Sequence, residues 1–258
     1  MEERPRRELF EFAFFRKYDD ALSFLSGLAA PEAWDFEGTE KRYSILKSYL
    51  EHTFRKVNSE KEIAYTADNS YSCFNTGLVT ANLEPIYAFF ERNKVPQPKQ
   101  AYFFRAFLKE SDRQLLSNFA KCPKRANYFE HPEELIFNPN CELIVNMDHI
   151  VEENRERFPK SFQDLPNDEV IRRLEGAIQE CKKRVKTNYT LAVPQYYDGR
   201  IQLLLPLNLT YSSSNPDLAL AVSRIRDDTY TARTCLTLKM AYTNARLIVK
   251  PQSIWLHP

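Results

Sequence analysis

Glycine is scarce in this 258-residue sequence, which contains only five. Phosphate-binding loops of the Walker type need glycines at fixed spacing followed by a GK[ST] sequence, and no such sequence is present. Histidine is also sparse, and none of the four histidines lies in an HxH or HExxH pattern. These shortages all but exclude a Walker-type nucleotide site, and they argue against a metal centre or a bound metal cofactor.

Paired cysteines and long apolar runs are absent too. The five cysteines are odd in number, widely spaced and without a CxxC pair, which is typical of reduced thiols in an intracellular protein. No stretch approaches the roughly 18 apolar residues of a membrane span, and the first residues lack the apolar core of a secretion signal. We therefore expect a cytoplasmic protein with no membrane partner and no cofactor.

The net charge of +1 provides no global basic field that would attract nucleic acid. Any binding of nucleic acid must therefore come from a local patch of basic side chains. The aromatic fraction of 13% indicates a well-packed core, and no linker-like segment interrupts the chain. We predict a single globular domain over residues 1–258.

Apolar periodicity predicts an α+β fold. Helices are expected mainly in the N-terminal half, and an antiparallel or mixed sheet is expected to come largely from the C-terminal half. Ile86 to Arg92 is predicted to be helical, and Lys239 to Val249 is assigned to a helix although a strand is the alternative. Leu218 to Arg224 and Thr229 to Leu238 are predicted to form a hairpin.

The stretch from Cys181 to Leu207 combines a basic helix end with a polar hairpin. Apolar residues at intervals of three and four predict a helix whose last turn carries Lys182, Lys183, Arg184 and Lys186. Two strands then follow, joined by Asp198-Gly199, a dipeptide favoured in two-residue hairpin turns. Pro194 cannot donate a hydrogen bond to a neighbouring strand, so the first of these strands is predicted to lie at a sheet edge.

Cationic, amide and phenol side chains in this stretch suit contacts with phosphate and with bases. The predicted binding residues that would meet near one sheet edge or surface are Lys183, Arg184, Asn188, Gln195 and Tyr196. The alternative is structural, because cations at a helix C-terminus also offset the helix dipole and are usually solvated. Whether residues 182–186 line a cleft or face open solvent is left undecided at this point.

Four further residues are candidates from other segments. Asn75 and Asn244 would present amides, and Arg246 would hold a phosphate. His149 and Tyr196 are the candidate catalytic pair, with His149 as general acid or base and Tyr196 as a proton donor or a stacking partner for a base. The competing interpretations are that Asn75 caps a turn and that His149 is a structural residue of a helix start.

Several runs of the sequence resemble one uncharacterised bacterial family, domain-of-unknown-function family 3825. The runs that carry the resemblance are FNTGL (74–78), FLKESDR (107–113), KRVKTNY (183–189), VPQYY (193–197), IQLLLPL (201–207) and LTLKMAYTNARLI (236–248). In the last run, Lys239 stands where the family pattern has an acidic residue, and Thr243 stands where it has asparagine. The resemblance implies an association with RNA, because such domains occur beside cold-shock or helix-turn-helix modules that bind RNA.

The leading hypothesis is a protein directed at RNA or nucleotides. In its enzymatic version, it would be a metal-independent hydrolase or transferase acting on a phosphate end or a phosphodiester. The alternatives are a non-catalytic RNA- or nucleotide-binding module, and a protein-interaction component of a bacterial defence or stress system. The sequence leaves the oligomeric state open.

Overall fold

The computed structural model describes residues 8–38, 40, 42–95, 99–210 and 215–258. The chain separates into two compact units, with the boundary between Asn127 and Tyr128. The expectation of one domain over residues 1–258 stays a prediction.

The first unit contains one five-stranded sheet, with strand order β1-β5-β4-β3-β2. Strand β1 is parallel to β5, and the other neighbours are antiparallel. The elements in chain order are α1 (Glu8–Phe12), β1 (Ala13–Phe14), α2 (Tyr18–Leu28), α3 (Ser44–Ser59), β2 (Ala64–Tyr65), β3 (Tyr71–Val79), β4 (Pro85–Arg92), β5 (Tyr102–Lys109) and α4 (Arg113–Asn118).

Aromatic rings hold α3 against this sheet. Helix α3 buries apolar residues at intervals of three and four, from Ile45 to Val57, as an amphipathic helix does. The ring of Phe54 on α3 contacts Phe74 on β3, with 5.2 Å between centroids, and Phe74 stacks on Phe90 of β4 at 5.8 Å. The high aromatic content is thus used in the core of this unit.

The second unit also contains a five-stranded sheet, with strand order β6-β10-β9-β8-β7. Strand β6 is parallel to β10, and the other neighbours are antiparallel. Its elements in chain order are the 3₁₀ helix Pro132–Leu135, β6 (Glu142–Val145), α5 (Met147–Glu153), the 3₁₀ helix Arg155–Arg157, α6 (Lys160–Gln163), α7 (Asn167–Thr187), the 3₁₀ helix Tyr189–Leu191, β7 (Val193–Tyr197), β8 (Arg200–Leu207), β9 (Leu218–Arg226), β10 (Thr229–Leu236) and α8 (Leu238–Arg246).

Helices α7 and α8 pack on opposite faces of the second sheet. Leu203, Leu205 and Leu207 of β8 belong to one core cluster with the apolar stripe of α7. Successive residues of a strand point to opposite faces, so Gln202 lies on the other face. Its cross-strand partner Gln195 is hydrogen-bonded to Asn244 of α8, which identifies that face as the one α8 covers.

The two units share one topology. In each, a first strand is followed by helices, then by four consecutive antiparallel strands, and then by one more helix. The first strand pairs in parallel with the last one in both sheets. No repeat is visible in the sequence, so the repetition is a property of the backbone architecture alone.

The structure confirms the α+β class, and it adds a five-stranded sheet in the first unit to the sheet expected in the C-terminal half. The hairpin at Asp198-Gly199 is confirmed, with φ of 49° and 75° as a two-residue turn of this kind requires. Helix α8 is confirmed, as is the edge position of β7 with Pro194. The helix predicted for Ile86 to Arg92 is wrong, because this segment is strand β4.

Candidate functional site

A row of polar side chains crosses four strands of the second sheet on the face that carries α8. Gln195 on β7 pairs with Gln202 on β8, and Ser223 on β9 pairs with Thr231 on β10. A hydrogen bond of 3.0 Å from Gln202 Nε2 to Ser223 Oγ joins the two pairs. We call Gln195, Gln202, Ser223 and Thr231 the polar row.

Hydrogen bonds connect α8 to the polar row. Asn244 Nδ2 donates to Gln195 Oε1 at 3.1 Å, and Gln195 Nε2 donates to Gln202 Oε1 at 2.7 Å. Gln195 is only 1% exposed, so these bonds offset the cost of burying its amide. Gln202, Ser223 and Thr231 are partly exposed. The row is therefore anchored in the interior at one end and reaches the surface at the other.

Exposed aromatic, cationic and apolar side chains border the polar row. Tyr197 and Arg200 are cross-strand partners on the same face as Gln195 and Gln202, and Tyr197 is 56% exposed. Ile144 pairs with Thr231, and Ile225 lies two residues after Ser223 on the same side of β9. Both isoleucines are exposed. We call the polar row with Tyr197, Arg200, Ile144 and Ile225 the polar platform.

Arg200 makes no hydrogen bond or ion pair with another side chain in the part of the chain that the structure describes. Its guanidinium is exposed beside Tyr197. Guanidinium groups bind phosphate through paired N–H donors, and aromatic rings provide a surface on which bases stack. The polar platform thus places a group suited to phosphate next to a group suited to a base.

The basic end of α7 is a separate surface. Lys183 is exposed, and Arg184 Nη1 lies 3.2 Å from Asn208 Oδ1 and 3.7 Å from Glu180 Oε1. Asn208 follows β8 six residues after Gln202, which corresponds to roughly 20 Å along a strand. Since α7 also packs on the opposite face of the sheet, the structure does not bring Lys183 and Arg184 to the polar row.

Asn188 has a local structural role. It ends α7, and its Oδ1 accepts hydrogen bonds from the backbone N of Thr190 at 3.1 Å and from Thr190 Oγ1 at 2.7 Å. A side chain that caps the following turn in this way is a common device of asparagine. Asn188 is therefore engaged with its own chain segment.

The candidate catalytic residues belong to segments at opposite ends of the strand order of the second sheet. His149 follows edge strand β6, and its Nδ1 lies 2.8 Å from Glu153 Oε1. Tyr196 is on the other edge strand, β7, and its ring packs edge-on against Tyr128 with 4.9 Å between centroids. Four strand spacings separate the two edges, which is about 19 Å. The structure does not bring His149 and Tyr196 together.

Asn75 belongs to the first unit. It is buried in β3, and its Oδ1 accepts a hydrogen bond from the backbone N of Gly77 at 2.9 Å. This local contact resembles the capping interaction that was the alternative, but it lies at an irregularity inside β3 and not in a turn.

Of the two candidates on α8, Asn244 reaches the polar row through its hydrogen bond with Gln195. Arg246 is 6% exposed in the last turn. Residues two apart on a helix point to different sides, so Arg246 does not share the side of α8 that Asn244 presents to β7.

Seven residues of the polar platform were not among the candidates from the sequence, namely Gln202, Ser223, Thr231, Tyr197, Arg200, Ile144 and Ile225. Gln202 lies within the apolar run IQLLLPL, and Ser223 follows the apolar run LALAV. A polar residue in or next to an otherwise apolar strand interrupts the apolar pattern, and this interruption can be seen in the sequence. The pairing partners of these residues are invisible in the sequence, because register depends on the fold.

Two of the five cysteines have thiols that are poorly suited to catalysis. Burial raises the pKa of the Cys181 and Cys235 thiols to about 12, so both remain protonated at neutral pH and are weak nucleophiles. Among the described residues, no group of three or more His, Cys, Asp or Glu side chains is placed to hold a metal ion. None of the described helices combines the length and apolarity that crossing a membrane requires.

A search of curated proteins found no match, and a search of solved structures found none either. A scan against protein families matches residues 25–255 with the family described as "Domain of unknown function (DUF3825)". This match covers most of both compact units. The chain therefore belongs to the DUF3825 family.

Proposed function

We propose that the second unit binds single-stranded RNA, or a nucleotide, on the polar platform. The observation that supports this function is the hydrogen-bonded polar row beside exposed Tyr197 and Arg200. Proteins recognise unpaired bases by stacking them on aromatic rings and by hydrogen bonds from side chains. Amide and hydroxyl groups on a sheet, with a ring and a guanidinium next to them, combine these elements.

The non-catalytic version of the hypothesis is the better supported one. A general acid or base must lie within hydrogen-bond reach of the proton that it transfers. Tyr196 lies on edge strand β7, whereas His149 lies in α5 after the opposite edge strand β6 and already contacts Glu153. The protein-interaction alternative stays a prediction of the sequence.

The test is a titration of the full chain against a labelled single-stranded RNA of ten nucleotides, followed by fluorescence anisotropy. Tyr197→Ala is expected to weaken binding by about fivefold to a hundredfold, since stacking of one base contributes about 1–3 kcal/mol. Arg200→Gln is expected to weaken binding and to reduce the slope of log affinity against log salt by about 0.7, the value for one lost phosphate contact. A mononucleotide titration separates nucleotide binding from binding of the strand.

The matched controls are Tyr189→Ala and Arg172→Gln, which remove an exposed tyrosine and an exposed arginine of the same unit outside the platform. Neither control is expected to change the affinity. Unchanged RNA affinity of the Tyr197→Ala and Arg200→Gln variants would refute binding at the polar platform. Loss of binding only in Lys183→Ala/Arg184→Ala would place the site at the end of α7 instead.

A further inference from the structure

We propose that a groove in the first unit binds phosphate groups. The groove has a volume of about 330 Å³ and lies where the segment after α3 meets the segment after α4. Three lysines from these two segments line it, namely Lys61, Lys121 and Lys124. We call it the lysine groove. This inference does not rest on the polar platform, which belongs to the other unit.

The positive charge of the lysine groove exceeds the negative charge in its lining. All three lysines are exposed, and none makes an ion pair or a hydrogen bond through its ammonium group within the described part of the chain. Glu62 is the carboxylate in the lining, and one of its oxygens already accepts a hydrogen bond from the backbone N of Lys124 at 3.2 Å. Three ammonium groups against one carboxylate leave the groove positively charged at neutral pH.

Lys61 occupies a backbone position that usually belongs to glycine. It follows the end of α3 with φ of 60°, and the N–H of Glu62 donates to the carbonyl of Val57 at 2.8 Å, the bond that closes a helix end of the Schellman type. Glycine adopts this conformation with less strain than any other residue. Local backbone preference therefore does not favour lysine at this position. The role that we infer for Lys61 is to add a positive charge to the groove.

The two segments of the groove are fastened to each other. Besides the Glu62 bond to Lys124, the carboxylate oxygens of Glu60 accept hydrogen bonds from the backbone N of Asn127 at 3.1 and 3.3 Å. These bonds tie residues 124–127 to the end of α3. The backbone that carries the lysines is therefore held before a ligand arrives, which lowers the ordering cost of binding.

Phosphate is the ligand class that suits this arrangement. Ammonium groups act as compact charges that bind phosphate without a fixed geometry, and several of them around a concavity favour an anion with several oxygens. Such phosphate could belong to the backbone of RNA or to a free polyphosphate. Titrations with inorganic tripolyphosphate and with RNA distinguish these two sources.

The key variant is Lys61→Gly, because it removes one charge of the groove and relieves the strained backbone position. It is expected to keep or raise the melting temperature. Together with Lys121→Gln and Lys124→Gln, it is expected to weaken phosphate binding about tenfold or more. The probes are inorganic tripolyphosphate, measured by calorimetry, and the ten-nucleotide RNA, measured by anisotropy. Three lost contacts with an RNA backbone would lower the salt slope by about 2.

The matched control is Lys17→Gln/Lys47→Gln/Lys94→Gln, which removes the same charge from lysines of the first unit that are already paired with carboxylates. Weaker tripolyphosphate binding in the groove variant alone would support a site for free polyphosphate. Weaker RNA binding and a lower salt slope without tripolyphosphate binding would support a site for the RNA backbone. Equal behaviour of the groove and control variants, or no binding of either probe by the unaltered chain, would overturn the proposal.

Discussion

Gly77 and Lys61 both have a positive φ, but steric contact constrains only Gly77. A Cβ atom on Gly77, whose φ is 74°, would lie 2.5 Å from Tyr49 Oη. The Tyr49 hydroxyl cannot move away freely, because it donates a hydrogen bond to the Thr76 carbonyl at 2.9 Å. The ring that closes over Gly77 is invisible in the sequence, because Tyr49 belongs to helix α3 and meets β3 only in the folded unit.

Gly77→Ala is expected to destabilise the protein by about 2–4 kcal/mol, since it adds backbone strain and a collision with Tyr49. The measurement is the free energy of unfolding in urea. Gly176→Ala is the matched control, because Gly176 lies in α7 with open space where its Cβ would be. Alanine there is expected to stabilise by about 0.5–1 kcal/mol. Similar effects of the two substitutions would contradict the steric argument.

At the scale of single elements, strand β4 and helix α8 show where periodicity is informative. The residues from Ile86 to Phe90 are all apolar and all buried, as in a strand covered on both faces, so they carry no period that separates strand from helix. In α8, the buried residues Ala241, Tyr242 and Ala245 follow a helical period, which agrees with the helix preferred over a strand for Lys239 to Val249. The error at β4 comes from burial on both sides, which is a tertiary property.

Two buried thiols make stability depend on pH in the alkaline range. Cys181 on α7 and Cys235 on β10 have pKa values of about 12 in the folded chain against an ordinary value of 9.0. A thiol whose pKa is raised by folding stabilises the folded chain at pH values below its pKa in the unfolded chain. This stabilisation is lost as the pH rises toward the pKa of the thiol in the folded chain. The free energy of unfolding should therefore fall between about pH 9 and pH 12.

Each of these thiols is expected to account for about 2 kcal/mol of the fall between pH 8 and pH 10.5. The measurement is urea unfolding of the unaltered chain and of Cys181→Ala/Cys235→Ala at both pH values. The variant is less stable at pH 8 because it leaves cavities, but its own fall with pH should be smaller. An identical fall in both proteins would show that the thiols do not cause it.

At the scale of the whole molecule, each unit has its own sheet, its own helices and its own buried residues. Domains of this size bury enough surface to be stable alone. We therefore predict that fragments 1–127 and 128–258 each fold, with helix and strand signals in circular dichroism and a cooperative transition in urea. A fragment without a cooperative transition would support the single domain that the sequence analysis predicted.

The sequence by itself determined the features that arise from neighbouring residues. These are the amphipathic stripe of α7, the turn at Asp198-Gly199, the edge position that Pro194 imposes on β7, and the α+β class. Each follows from local backbone preference or from periodicity over one element.

Only the tertiary structure decided which distant residues meet. Strand register assembled Gln195, Gln202, Ser223 and Thr231 into one row, and strand order separated Tyr196 on β7 from β6, the strand that His149 follows. The lysine groove joins residues that are sixty positions apart in the chain. The two units share a topology, although no repeat is visible in the sequence. Contacts of this kind depend on how whole elements pack. The register of two paired strands fixes all of their cross-strand partners at once, and the sequence of one strand does not reveal that register.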